Sequence, residues 1–308
     1  GDRVFGRGSC DMKSGLIAAL EAFETFVQGP RDFPGRVMFI AVPAEEDSGL
    51  GTLAAIRRGY GGDAAIIPEP TVSEGRPRII VAHSGAMSFM IEVTGLAAHA
   101  SKRLSGENAL THYMTVHEAL QRDEDAVNAA ETHPLMCALG IPYANNVGLI
   151  KGGDWSSTVM DRLHVEVRIG VPLGQTADEA EARLRRAIEE AAAGSEWLSA
   201  NPPRVTRIAS GFGAAATRQD HPLVGALEAA AGRTFDAAPE VAGAPYGCDM
   251  SAWVHLAGVP TVLYGPGDIE WAHAADEHVS LRTTTHVAEV LTRAVEDLLH
   301  RPKETLAQ

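Results

Sequence analysis

The pattern of apolar residues changes type twice along the chain, and this double change is what most narrows the folds open to it. Up to about residue 78, helix-like and strand-like segments alternate. Residues 14–27 place Leu16, Ile17, Leu20, Phe23 and Val27 near helical spacing, and Gly29-Pro30 stops them. Residues 36–43 form a short continuous apolar run, which predicts a parallel strand covered on both faces. A helix over 51–58 and a strand over 64–67, closed by Pro68-Glu69-Pro70, complete this stretch. From 79 to 208 the predicted order is strand (86–94), helix (108–121), strands (147–150 and 163–171), helix (177–193) and strand (204–208). That is the β-α-β-β-α-β order of a ferredoxin-like split βαβ unit. Beyond residue 211 the α/β pattern resumes, with helices over 221–231 and 249–257, a strand over 259–264 and a last helix over 284–299. The expected fold is α/β: a discontinuous domain of residues 1–80 and 212–308, built on a mostly parallel sheet flanked by helices, around an inserted α+β domain of residues 81–211.

Charge and cysteine usage exclude several classes of function. With 26 Lys+Arg against 40 Asp+Glu in 308 residues the formal net charge is −14, which argues against nucleic acid and anionic membranes as partners. No stretch approaches the roughly 18 apolar residues of a membrane span, and no basic segment followed by an apolar one opens the sequence. Cys10, Cys137 and Cys248 are far apart and never in a C-x-x-C pair, so neither a disulfide framework nor a thiolate zinc site is indicated, and a cytoplasmic setting fits. The first residue is Gly1 rather than Met, and it runs at once into Gly6-Arg7-Gly8-Ser9-Cys10-Asp11, so further sequence upstream is expected.

Four acidic residues occupy equivalent places relative to these elements. Asp11 precedes a helix, Glu45 and Glu46 follow the run ending at Pro43, and Glu69 follows the strand ending at Ile67. In open α/β sheets, ligands bind outside the carboxyl ends of the strands. Carboxylates gathered there repel one another unless a cation or protons intervene. Adjacent side chains on an extended segment point in opposite directions, so one of Glu45 and Glu46 can ligate while the other addresses a water. His273 follows the 259–264 strand and brings an imidazole to the same end. Each residue alone also has a plainer reading: a solvated Glu-Glu turn, a helix cap, a surface histidine. Their shared position after strands is what favours a hydrolytic zinc-type ligand set.

At this point the residues resemble a known family. The motifs are residues 6–15 (GRGSCDMKSG), 43–49 (PAEEDSG), Glu69-Pro70-Thr71, 95–101 (GLAAHAS) and Gly265-Pro266-Gly267 with His273. In order and approximate spacing they resemble the dizinc amidohydrolases, among them acetylornithine deacetylase, succinyl-diaminopimelate desuccinylase, aminoacylase and glutamate carboxypeptidase. The resemblance covers essentially the whole chain. It implies a zinc-peptidase-like catalytic domain carrying an inserted ferredoxin-like lid and dimerisation domain, with two Zn2+ in the complete site, Co2+ or Mn2+ being alternatives. It implies that Asp11 bridges the two metals and is followed by a cis peptide bond to Met12. Glu69 would complete the first metal, Glu46 and His273 the second, and Glu45 would be the general base. His99 would stabilise the oxyanion, often in the opposite subunit's site, and Arg168 would pair with a substrate carboxylate. The implied substrate is an N-acyl amino acid or dipeptide-like small molecule, and the implied assembly a homodimer through the inserted domain.

The sequence also departs from that pattern. The family's His-x-Asp motif, upstream of the Gly-Arg-Gly segment, has no counterpart from Gly1 onward. Without it the first metal has only Asp11 and Glu69 from protein, fewer than the three ligands usual at catalytic zinc. A chain that began at Gly1 would then hold one metal or none. Ser14 stands where relatives carry Gly, and Met160 where they often carry Pro. Two alternatives stay open: an inactive relative that binds a small carboxylate ligand, and a mononuclear metal protein using Asp11, Glu46 and His273. Asp249 reads equally as a substrate-side residue and as a helix cap. Cys10 and Cys248 read as small buried hydrophobes, and His83, His112, His117 and His164 as structural or surface residues.

Overall fold

A computed structural model describes residues 1–30, 32–209 and 211–306, the side chains of Asp47 and Ser73 excepted. The chain forms two compact units. One comprises Gly1–His83, Ala215–Ala244 and Asp249–Gln308, and the other Ser84–Ala214 with Pro245–Cys248.

The first unit begins with β1 (Arg3–Phe5), a π-helical turn over Ser9–Lys13, α1 (Ser14–Gln28), α2 (Glu45–Ser48) and α3 (Leu50–Arg57). It continues with β2 (Ala65–Ser73) and β3 (Arg76–His83), joined by the two-residue turn Glu74-Gly75. Both turn residues have positive φ, 48° and 75°, the combination that suits the twist of a tight hairpin.

The second unit holds β4 (Gly85–Thr94), a 3-10 turn over Ala100–Ser105, α4 (Ala109–Ala129), α5 (Pro134–Cys137), β5 (Asn146–Gly152), β6 (Arg162–Val171), α6 (Ala177–Ala193), α7 (Glu196–Ala200) and β7 (Arg204–Arg207). Its antiparallel sheet has the order β5-β6-β4-β7, the strand arrangement of a split βαβ unit. One face is dry. Met87, Phe89, Ile91 and Val93 alternate inward along β4, and Leu163, Val165, Val167 and Ile169 do so along β6. Ala109, Tyr113, Val116 and Leu120 of α4 and Ala180, Leu184, Ile188 and Ala192 of α6 belong to the same core. A capping box between Thr176 and Glu179 fixes the start of α6.

The chain then returns to the first unit with β8 (Ala215–Ala216), α8 (Pro222–Thr234), β9 (Glu240–Ala244), α9 (Met250–Leu256), β10 (Thr261–Asp268), β11 (His278–Ser280) and α10 (Leu281–Leu299). The five-stranded sheet runs β10-β2-β3-β8, with β9 also on β3. The β2–β10 and β3–β9 pairings are parallel, so the sheet is mixed α/β. No helix among the described residues is long and apolar enough to cross a membrane.

Two expectations at this level need correction. Residues 36–43 form no strand: they are half-buried or exposed, and no strand among the described residues pairs with them, β3 meeting β2 only at Val72 and Ser73. The strand expected to stop at Pro68 instead continues to Ser73. Proline lacks a ladder donor, but opposite Pro70 the register with β10 shifts repeatedly between Leu263 and Asp268, so the missing donors fall where the ladder is already irregular.

Candidate metal centre

The site is assembled from the two ends of the first unit. β1 and β11 pair antiparallel, with Phe5 opposite His278, and this places residues 6–11 beside residues 273–277. Asp11 lies in the π-helical turn with non-helical dihedrals (φ −114°, ψ 97°), between the left-handed Gly8 and a cis bond to Met12. The first amides of a helical turn have no partner within it. Here Glu277 supplies one: its Oε1 accepts from the backbone N–H of Cys10 at 3.0 Å and of Asp11 at 3.1 Å. Its Oε2 meets Arg7 Nη1 at 2.8 Å, and Arg7 Nη2 donates to the carbonyl of His273 at 3.3 Å. Burial pushes the Glu277 carboxyl up, but the amides around it and Arg7 pull harder and hold it below the usual range.

His273 is a non-glycine residue at φ +61°. Its Nε2 lies 3.4 Å from Asp11 Oδ2 and 3.2 Å from Glu46 Oε2. One ligand atom from each of Asp11, Glu46 and His273 can be chosen so that all lie within 4.8 Å of one another. Glu45 and Glu46 open α2 between left-handed residues Ala44 and Gly49, so the pair is helical and not extended as expected. Adjacent helical side chains still diverge, by about 100°, which keeps the two carboxylates on different bearings. Glu69 is buried in β2.

Charge dominates the surroundings. Burial raises Asp11, and Glu46 raises it further while His273 opposes. Glu45 is pushed up to about 8, by burial first and then by the charges of Asp249, Glu46 and Asp11. Burial, followed by the charges of Asp11, Glu45, Glu46 and Asp249, raises Glu69 well above the carboxylate range. Asp249 is likewise raised by burial. Carboxylates whose strongest neighbours are one another, with an imidazole among them, form a donor set that fits a divalent cation.

The expected residues are therefore placed unequally. Asp11, Glu46 and His273 come together. Glu45 and Glu69 feel the charges of Asp11 and Glu46, and Glu69 hydrogen-bonds to Asp11, but both lie outside the 4.8 Å group. His99 and Arg168 belong to the second unit. His99 is exposed and caps the turn after it, its Nδ1 accepting from the Ser101 amide at 3.2 Å. Arg168 sits half-buried on β6 between Asn146 and Ser88, without a carboxylate partner among the described residues. Asp249 makes no cap hydrogen bond; its Oδ2 accepts from Thr52 Oγ1 at 2.6 Å, which ties α9 to α3. Cys10 and Cys248 are buried, and the Cys10 thiol donates to the Asp268 carbonyl at 3.2 Å. Sequence reasoning missed Thr52 and Glu277, which stand in no motif it used, and gave Arg7 no role although Arg7 lies within the residue 6–15 motif.

A mixed α/β unit that gathers carboxylates and a histidine offers the donor set a metal-dependent hydrolase uses. The chain belongs to peptidase family M20/M25/M40, whose model matches residues 1–297. It is 24% identical over 323 residues to N-formyl-4-amino-5-aminomethyl-2-methylpyrimidine deformylase of Bacillus subtilis, covering 98% of this chain and 73% of that one. It is 27% identical over 306 residues to acetylornithine deacetylase of Edwardsiella ictaluri, covering 97% and 73%. Among solved structures, the fold matches an M20 family metallo-carboxypeptidase from Sulfolobus solfataricus with a TM-score of 0.74 at 16% identity, over 96% of this chain and 78% of that one. The dipeptidase Dug1p of Saccharomyces cerevisiae matches with a TM-score of 0.73 at 12% identity, over 98% and 74%. The chain is thus an enzyme of the amidohydrolase and peptidase class.

Proposed function

We propose that this enzyme cleaves the amide bond of an N-acyl amino acid, a dipeptide or a similar small acylated amine at a centre that holds zinc. The observation that carries the reading is the approach of Asp11, Glu46 and His273 to within 4.8 Å, with the half-buried Glu45 next to Glu46 in the chain. Asp11, Glu46 and His273 would hold one ion, and Asp11 with Glu69 a second. When bound, the cation supplies Lewis acidity, drawing electron density from an amide carbonyl and making water acidic near neutral pH. Glu45, off the ligand group, takes a proton from the attacking water and returns it to the departing amine. Burial and the charges of Asp249, Glu46 and Asp11 raise that carboxyl while no cation is bound, and it falls toward the ionised form a base needs once a cation sits between these groups. Arg168, whose planar fork suits a carboxylate, binds that group of the substrate, and His99 steadies the oxyanion. The enzyme is assigned a homodimeric assembly through its second unit and a cytoplasmic location.

A mononuclear centre is the second reading, favoured because the 4.8 Å group contains only these three residues among those described. Metal content per chain separates the two.

The deciding experiment compares the wild type with Glu45→Gln for metal content and for hydrolysis of N-acetyl, N-succinyl and N-formyl amines and dipeptides. Equal metal with turnover lowered about 10²- to 10⁴-fold supports the assignment of Glu45. Undiminished turnover in Glu45→Gln overturns it.

A further inference from the structure

His273 and Asp11 come from opposite ends of the first unit, and a site built this way binds a cation only as well as its two halves are registered. One side chain performs that registration. Glu277 is 2% exposed and stands four residues after His273. Its side chain accepts from the amides of Cys10 and Asp11 and pairs with Arg7; its carbonyl accepts from the Gly6 amide at 2.9 Å and from Ser9 Oγ at 3.3 Å. Arg7 in turn holds the carbonyl of His273. Ligand residues on both sides are thereby fixed through main-chain atoms, with Asp11 held by its own amide and His273 by its own carbonyl. His273 sits at φ +61°, a conformation that costs free energy for a residue with a side chain and persists only where its surroundings impose it.

We propose that Glu277 is the positioning residue that sets how tightly the Asp11–Glu46–His273 group holds its cation, a proposal that rests on the metal-centre reading and adds the residue that fixes its geometry. Glu277 touches neither cation nor substrate. It acts by reach: its carboxylate spans from the 273–278 segment to two successive amides of the Asp11 turn. Partners of this kind, one step removed from a metal, change affinity by about 10- to 100-fold when lost.

Two substitutions separate reach from charge. Glu277→Gln keeps an acceptor oxygen for the two amides and gives up the charge together with the Arg7 contact at Oε2; Glu277→Asp keeps the charge and falls short of the amides. Zn2+ affinity is measured by chelator competition on the 308-residue chain for wild type, both variants and Asp11→Asn. The visible spectrum of the Co2+ form and the melting temperature of the metal-free form are recorded beside it. The expected result is Zn2+ binding weakened about 10- to 100-fold in Glu277→Asp, with an altered Co2+ spectrum, and binding close to wild type in Glu277→Gln. Unchanged affinity in both variants, equal weakening in both, or weakening in Glu277→Gln alone overturns the proposal. So does a lowered melting temperature in Glu277→Asp with affinity and spectrum unmoved, which marks a purely structural residue. Failure of the wild type to bind Zn2+, or an Asp11→Asn protein that binds as well as wild type, overturns the metal-centre reading itself.

Discussion

At the scale of single residues the site is a set of acids held where acids are disfavoured. Asp11, Glu45, Glu69 and Asp249 all have folded-state pKa values above those of free carboxylates, with Glu45 reaching about 8. Without a cation, the folded chain therefore binds more protons than the unfolded one from about pH 5 up to that value, and folding stability falls as pH rises through the window. Carboxylates lowered by hydrogen bonds, such as Asp2 and Glu131, give the opposite slope, but only below the ordinary carboxylate range. The melting temperature of chelator-treated protein is expected to decline between pH 5 and pH 8; a flat or rising profile contradicts the burial of these groups. The ligand candidates were legible in sequence because each stands in a short motif, although only Asp11 and His273 keep the expected places before a helix and after a strand; Glu46 lies inside α2 and Glu69 inside β2. Glu277 was not legible, since a side chain that binds main-chain amides leaves no trace in the identity of the residues it binds, and Arg7 lay in a quoted motif without its partner being visible. Asp249 was half legible: its position suggested a cap, and only the bond to Thr52 shows that its side chain turns elsewhere.

At the scale of elements, the first unit depends on close approaches that periodicity does not reveal. Gly15 at the start of α1 and Gly265 in β10 both press on Pro68 of β2, and a Cβ at either would collide with the Pro68 carbonyl oxygen. That contact seats the segment carrying Asp11 on the strand carrying Glu69. Gly15→Ala is therefore expected to destabilise the protein by about 1–3 kcal/mol and to lower metal affinity as well, read by denaturant unfolding and Zn2+ titration. A neutral effect on both shows that α1 can withdraw from β2 at no cost. Sequence periodicity served best where an element has one wet and one dry face. It gave α6 its bounds, 177–193, since apolar residues recur at helical spacing between a capping box and Gly194. It failed for residues 36–43, where an apolar run alone does not say whether a neighbouring strand edge is free.

For the whole molecule, the second unit has its own core while the proposed metal residues lie in the first. Cation binding stabilises whatever it binds by mass action, about 2.7 kcal/mol at a hundred times Kd. Calorimetry is expected to show two transitions, of which Zn2+ raises only one and a chelator returns it. A single transition shifted as a whole shows that the units unfold together. This outcome follows from the order of segments, which sequence showed as a double change of pattern without showing which residues close the outer pieces.

The Arg7–Glu277 pair spans 270 residues of chain. On a ribosome adding about 5–20 residues per second, roughly 15–55 s separate the synthesis of its two members. Ser84–Ala214 is finished within that interval and carries its own interior, so it can settle while the amino-terminal segment waits for its partner. Throughout the wait Asp11 has neither His273 beside it nor Glu277 beneath it. The proposed cation site can therefore close only after residue 277 has been made, and a nascent chain interrupted before residue 273 leaves its early carboxylates without the half that completes them.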